Sequence, residues 1–412
     1  MKKFSVKLIT LFATLLLLCG CAEQNVLAPS PGGSPTAPGG SAGALITGQT
    51  SPSAEANPSG SSLSPSASGG FEPSYSPSRA PETEAPSNTP SASPAQTPEP
   101  TPSPITGAAQ KYDYSQLKTD IDLLASMYPD KITVSSIGIT NFEREIPLII
   151  LGNPAAGKRV LIHGAMHARE YITSQVIMLT LERMLRDYDS LSYNGVKYSE
   201  ILSQVAVYIV PMTNPDGVEL VNNGISSVPD GYRDIVLEIN KGSKNFSQWK
   251  ANGLGVDLNN NYGVLGSIEG KNYSDVPAFM GFPGEAFSEP ETIALADLTS
   301  EMDFLSTASY HTQGEIIYWY FGQTGEAETR DLAYARELAG LTGYSLISKN
   351  KSSSNNLAMG YKDWFVMAFG RPGFTIECGQ GSHPLNISQL DSIYQAVKDV
   401  PIHMAWREYD AG

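Results

Sequence analysis

Arg159-Val160-Leu161-Ile162-His163-Gly164-Ala165-Met166-His167-Ala168-Arg169-Glu170 is the stretch on which the reading of this chain turns. It opens as a short apolar run, breaks at Gly164, and restarts as a helically periodic segment from Tyr171 to Asp187. That pattern predicts a strand, a turn and a helix, with polar residues at the junction. His167 and Glu170 stand three residues apart at the helix entrance, so both side chains project toward one point. One imidazole and one carboxylate supply half of a zinc site, and a third ligand from elsewhere leaves one position open for water. The pair also has a plain reading, a helix start with an acid in its first turn. The rest of the chain has to decide.

Moving outward, other apolar runs end in polar residues. Val205 to Val210 reads as a continuous strand that stops at the turn-rich Pro211-Met212-Thr213-Asn214-Pro215-Asp216-Gly217. Phe304 to Tyr310 reads as a strand stopping at His311, and Gly373 to Ile376 as a buried strand stopping at Glu377. Strands are also expected over Ile132 to Ile137 and Ile146 to Leu151. Helices are expected over Tyr114 to Met127, Arg330 to Leu341 and Leu390 to Trp406. Ser288-Glu289-Pro290-Glu291 fits a capping box that opens a helix through Leu298.

His167, Asn214, His311 and Glu377 thus each follow an apolar strand. In open α/β sheets, ligands bind in the crevice beyond the strand ends. By that placement His311 qualifies as the third ligand, completing a His, Glu, His set with one open position. Glu377 suits a general base that takes a proton from water at the metal.

The ordered motifs His167-Ala168-Arg169-Glu170, Asn214-Pro215-Asp216-Gly217, Gly255-Val256-Asp257-Leu258-Asn259, Ser309-Tyr310-His311 and Thr375-Ile376-Glu377 resemble the zinc carboxypeptidase family. The resemblance implies an α/β fold, a central mixed β-sheet of about eight strands flanked by helices. It implies one zinc held by His167, Glu170 and His311, with Glu377 as catalytic base and Asp257 orienting the first ligand histidine. It places Lys250, after Trp249, where the family carries an arginine that stabilises the oxyanion; lysine keeps the charge but loses the two-pronged geometry. Arg169 and Asn259 match substrate-binding positions.

Two departures bear on substrate. The family's carboxypeptidases follow the motif asparagine with an arginine that helps grip a terminal carboxylate, whereas this chain reads Asn259-Asn260-Asn261. Asn355 stands where the family's mobile tyrosine is expected. Tyr310 to Glu315, Gly360 to Phe365 and Arg371 to Gly381 are similar to a bacterial branch that includes γ-D-glutamyl-diaminopimelate peptidases, which cut peptidoglycan stem peptides. Lys362 falls at the base of the family's specificity pocket. Its ammonium either meets a distal carboxylate of the substrate or is a solvated surface charge.

Other conspicuous residues take plain readings. His163 is a strand-end histidine, since Gly164 interrupts any helix that would pair it with His167. His383 is a loop residue near Glu377 with a turn role or a substrate contact, and His403 is structural. Cys378 is a small buried residue rather than a nucleophile.

The chain has 412 residues and a formal net charge of −15, with no basic patch suited to nucleic acid. Residues 1–21 read as a secretory signal: Lys2, Lys3 and Lys7 precede an apolar run from Leu8 to Leu18, too short for a comfortable membrane span. Leu18-Cys19-Gly20-Cys21 resembles a bacterial lipobox, which makes Cys21 a lipidation site and the membrane a partner through an acyl anchor. Residues 22–109 are a Pro-, Ser-, Thr- and Gly-rich stretch expected to be a disordered linker. Cys378 is the only cysteine beyond Cys21, so a disulfide framework is excluded and residues 110–412 form a catalytic domain held by its core.

These readings converge on an exported zinc metallopeptidase, anchored in the cell membrane and facing the wall or periplasm, that hydrolyses peptidoglycan stem peptides. The alternatives are a metallocarboxypeptidase acting on ordinary peptide C-termini and a lipoprotein that binds wall or peptides without cleaving them.

Overall fold

Side chains alternate along the central strands, and each set faces a different core. In β3 (Lys158–Gly164), Val160 and Ile162 join one apolar cluster while Leu161 joins another. In β6 (Val205–Val210), Val205, Val207 and Ile209 face the first cluster, and Ala206, Tyr208 and Val210 the second. Strands buried on both faces need continuous apolar sequence, which is why these two read as unbroken hydrophobic runs. The computed structural model describes residues 105, 110–263, 284–349 and 359–411.

Among the described residues eight strands make one mixed sheet in the order β1-β2-β6-β3-β7-β10-β8-β9. The further strands are β1 (Ile132–Ile139), β2 (Glu145–Leu151), β7 (Ser306–His311), β8 (Ile316–Tyr318), β9 (Ser345–Leu346) and β10 (Gly373–Glu377). β4 (Ser192–Tyr193) and β5 (Val196–Lys197) form a separate small hairpin. β6, β3, β7 and β10 run parallel side by side, while β1 with β2, β2 with β6 and β8 with β10 are antiparallel.

Helices cover both faces. On the first face lie α1 (Tyr114–Met127), α2 (Ile172–Arg186), α3 (Tyr198–Gln204), α7 (Gly325–Thr342), α9 (Leu390–Val397) and α10 (Val400–Asp410). On the second lie α6 (Pro290–Met302) and α8 (Tyr361–Phe369). α4 (Pro215–Asn223) and α5 (Arg233–Ile239) contribute to a third, smaller cluster around Phe142 and Trp249. Among the described residues no helix is long and apolar enough to cross a membrane.

Four local expectations need correction. The closing helix from Leu390 to Trp406 is two helices, because Pro401 starts a new one: it lacks an N–H and fits a helix's first turn. The capping box does not form. Pro290 opens α6 after Glu289, and Ser288 Oγ instead donates to Glu289 Oε1 and accepts from Asn261 Nδ2. α7 begins at Gly325, five residues before Arg330. The turn signal at 211–217 also contains the start of α4, where Asn214 Oδ1 accepts from Gly217 N as a helix cap.

Candidate metal centre and active site

The register of the parallel strands sets the geometry. His311 closes β7 and Glu377 closes β10, and the two residues are paired across the strands. His167 arrives three residues beyond β3 through Ala165, whose φ of 46° lies in the left-handed region that disfavours side chains. This loop is pinned from several directions. Thr173 Oγ1 accepts from Ala165 N at 2.8 Å and donates to the Glu170 carbonyl at 2.8 Å. A Cβ on Gly164 would meet Ile177 Cδ1 at 2.7 Å and Thr173 Oγ1 at 3.0 Å, so a larger residue here would have to displace these α2 side chains under the loop. Asn214 is buried and fully engaged: its amide donates to the carbonyls of Met166 and Ala251, both at 3.0 Å. Its role in the crevice is to hold the ligand loop rather than to do chemistry.

His167, Glu170 and His311 converge and are all buried. His167 Nδ1 lies 2.9 Å from Glu170 Oε1 and 3.1 Å from His311 Nδ1, which is itself 3.1 Å from Glu170 Oε2. Two imidazole nitrogens held face to face at this range, with a carboxylate against both, call for a cation between them. Tetrahedral zinc with bonds of about 2.0–2.1 Å holds neighbouring ligand atoms roughly 3.3 Å apart, close to these separations. Two imidazoles and one carboxylate also suit zinc chemically. The donor set fits the metal.

The surroundings bias each group. Burial alone would raise the Glu170 carboxyl, but His167 and His311 overcome it and hold Glu170 well below the usual carboxylate range. His167 Nε2 sits 3.2 Å from Asp257 Oδ1, which leaves Nδ1 to face the centre. Asp257 is a hub. Lys250 Nζ donates to its Oδ2 at 2.5 Å, Asn260 Nδ2 donates to the same oxygen at 2.8 Å, and Asn259 N donates to Oδ1 at 3.1 Å. Against the penalty of burial, Lys250 and His167 keep the Asp257 carboxyl strongly acidic. Glu377 behaves oppositely: burial, reinforced by Glu170 and opposed by His311 and Lys250, pushes it up to about 7. The Glu377 carboxylate accepts no side-chain or backbone hydrogen bond among the described residues, although the residue itself is paired in the sheet.

The remaining sites divide. Lys250 is next to the centre, with its ammonium on Asp257. Arg169 donates to the Gln248 carbonyl at 3.3 Å beside the ligand loop. Asn259 Oδ1 accepts from Tyr361 N at 3.0 Å and so anchors the start of α8, whose preceding Gly360 leaves no room for a Cβ against it. Lys362 is not a solvated surface charge: it is buried, ion-paired with Asp363, and donates to the Tyr320 carbonyl at 3.0 Å. His163 is a buried strut between β3 and β7, its Nε2 on Ser309 Oγ, and burial holds it neutral. His403 of α10 bonds Tyr193 of the small β4–β5 hairpin, as a structural histidine should. Cys378 is buried, and burial pushes its thiol up and out of the reactive range. Cys21 and Asn355 lie outside the described residues.

One residue at the centre carries more than its sequence context suggested. His383 Nε2 donates to the Thr312 carbonyl at 2.8 Å and lies 3.7 Å from Glu170 Oε1. Gln248 Nε2 fixes it by donating to the His383 carbonyl. The only signal in the sequence was its distance of six residues from Glu377.

Comparison with known proteins agrees with this geometry. A family model described as zinc carboxypeptidase matches residues 117–399. The chain is 37% identical over 293 residues to gamma-D-glutamyl-L-diamino acid endopeptidase 1 of Lysinibacillus sphaericus, covering 71% of each protein. It is 33% identical over 295 residues to an uncharacterized protein of Bacillus subtilis, covering 70% of this chain and 76% of that one. The fold is similar to that of the solved carboxypeptidase A from Helicoverpa armigera, with a TM-score of 0.55 at 20% identity over 73% of this chain and 74% of that one. It is likewise similar to thrombin-activatable fibrinolysis inhibitor, with a TM-score of 0.56 at 18% identity over 72% and 75%. The chain belongs to the zinc carboxypeptidase family and is a zinc metallopeptidase.

Proposed function

We propose that this enzyme hydrolyses the γ-D-glutamyl–diaminopimelate bond of peptidoglycan stem peptides, with His167, Glu170 and His311 holding zinc and Glu377 as base. The observation that carries the substrate assignment is the engagement of Asn260. A peptide ending in a simple α-carboxylate is best gripped by a guanidinium, through charge-assisted hydrogen bonds. Here the position holds a neutral amide already bonded to Asp257, and the nearby Lys250 ammonium is committed to the same carboxylate. Losing a hydrogen bond to a charged group costs about 1.5–3 kcal/mol. A diaminopimelate residue tolerates that loss because it offers a distal amine and carboxylate as further anchors. The relative from Lysinibacillus sphaericus, whose name specifies a γ-D-glutamyl-L-diamino acid bond, supports the same class.

Zinc, when bound, supplies Lewis acidity toward the scissile carbonyl and toward water. Glu377 takes the proton from the attacking water and delivers it to the leaving amine, a task suited to a carboxyl shifted toward neutrality. Asp257 fixes the tautomer and ring orientation of His167. Lys250, with its ammonium held on Asp257, contributes its positive charge to the field at the oxyanion from that position, and Arg169 and Asn259 contact the substrate. The side-chain Nδ2 of Asn259 makes no hydrogen bond among the described residues. The Lys2 to Cys21 segment supports export and acyl anchoring, which would hold the domain at the membrane facing the wall.

Mass spectrometry of products tests the proposal, using a stem peptide and an ordinary peptide with and without chelator. The proposal expects chelator-sensitive cleavage at the γ-glutamyl bond. Release of single C-terminal residues from the ordinary peptide, with the stem peptide intact, would instead establish a metallocarboxypeptidase.

A further inference from the structure

Among the described residues, the Glu170 carboxylate has three partners within hydrogen-bond distance. His167 Nδ1 lies against Oε1 at 2.9 Å and His311 Nδ1 against Oε2 at 3.1 Å, but both nitrogens face the centre as ligand atoms. The third partner, Thr312 N, donates to Oε2 at 3.1 Å and is no ligand. Whatever fixes Thr312 therefore fixes the one partner that orients Glu170 from outside the ligand set.

Backbone bonds hold this turn on either side. Cys378 N donates to the His311 carbonyl at 2.8 Å, and Gly314 N donates to the Gly379 carbonyl at 2.7 Å. The Thr312 carbonyl between them takes its bond from a side chain, His383 Nε2, at 2.8 Å. The same nitrogen stands 3.7 Å from Glu170 Oε1, too far for a hydrogen bond. His383 thus reaches the ligand through Thr312 rather than directly. The imidazole is anchored in turn. Gln248 Nε2 donates to the His383 carbonyl, and the Gln248 carbonyl accepts from Arg169 Nη1 at 3.3 Å.

These four hydrogen bonds make a circuit. It leaves the ligand loop at Arg169, passes through Gln248, His383 and Thr312, and returns to the loop at the adjacent Glu170. Glu170 and Thr312 are both buried, where water does not compete for the bond between them. We propose that His383 is a positioning residue for the metal centre: through Thr312 it sets the orientation of the Glu170 carboxylate before zinc arrives. A carboxylate without that restraint has to be ordered at the moment of binding, which costs side-chain entropy.

Transfer of zinc from the loaded full chain to a chromogenic chelator tests this, together with the visible spectrum of the cobalt(II)-loaded protein. His383→Gln and His383→Asn bring the same amide, but only the longer side chain carries an N–H to the place of Nε2. His383→Asn is expected to weaken zinc binding about tenfold, the lower end of the effect of removing an outer partner of a metal ligand. It should also shift the cobalt bands. His383→Gln should restore most of the affinity and the wild-type spectrum, whereas loss of a ring that merely packs would affect both variants alike. Gln248→Leu, which releases the His383 carbonyl and keeps the imidazole, should weaken zinc binding in the same direction and serves if His383→Asn fails to fold. Wild-type affinity in both His383→Asn and Gln248→Leu, or equal losses in the two His383 variants, overturns the proposal.

Discussion

The side-chain amide of Asn260 donates to Asp257 Oδ2 at 2.8 Å, on the carboxylate whose other oxygen meets His167. A position that grips substrate in the family's carboxypeptidases therefore braces the metal centre here. Asn260→Ala should weaken zinc binding by about tenfold, at the lower end of the effect of removing outer partners of metal ligands. Competition with a chromogenic chelator measures this. Unchanged affinity would show that Asn260 does not support the centre.

The ligands and the base should separate cleanly. His311→Ala should lose the metal, because two remaining donors do not hold zinc tightly. Glu377→Gln should retain about one zinc per domain and lose at least roughly 100-fold in turnover, the scale of a general base. Metal analysis beside turnover decides it, and an active Glu377→Gln protein would remove that residue from the mechanism.

Folding stability should carry a pH signature from Glu291, a buried carboxyl in the first turn of α6. Burial, with Asp216 and Glu289 adding to it, pushes this carboxyl from 4.5 up to about 8. A carboxyl raised in the folded state binds its proton more tightly there than in the unfolded chain. Its contribution is therefore intact below about 4.5 and is lost as pH rises toward about 8. The slope is on the order of 1.4 kcal/mol per pH unit within that window. Glu291→Gln should flatten it, so that the substitution stabilises at pH 8 more than at pH 5. Urea melts of both proteins at the two pH values test this, and parallel shifts would contradict it.

Cys21 and Cys378 should differ sharply. Cys378→Ser should be near neutral for activity, since the buried thiol is held protonated. Cys21→Ser should leave the protein unprocessed or released from membranes. Fractionation with membranes at the wild-type level would remove the acyl anchor.

Much of the centre was legible because parallel strands buried on both faces must be continuous apolar runs, and such runs end visibly. The ends of β3, β7 and β10 marked His167, His311 and Glu377 without any knowledge of tertiary contacts. What the sequence concealed depended on partners distant in the chain. His383 is held near Glu170 by Gln248, 135 residues away, at its carbonyl and by the Thr312 carbonyl, 71 residues away, at its ring. Lys362 is buried because the Tyr320 carbonyl, 42 residues away, accepts from its ammonium. The missed helix cap at Asn214 and the false box at Ser288 share one cause. Short polar side chains have several local partners, and packing rather than spacing selects among them.

The central claim is that zinc chemistry at this site is directed to a γ-glutamyl bond next to a diamino acid. The most direct measurement is kcat/KM of the zinc-loaded protein on a γ-D-glutamyl-diaminopimelate peptide and on plain peptides ending in aromatic or basic residues. The account predicts clear turnover of the first, abolished by chelator and by Glu377→Gln, and poor turnover of the others. Efficient trimming of plain peptides with no cleavage of the γ-glutamyl bond would contradict it.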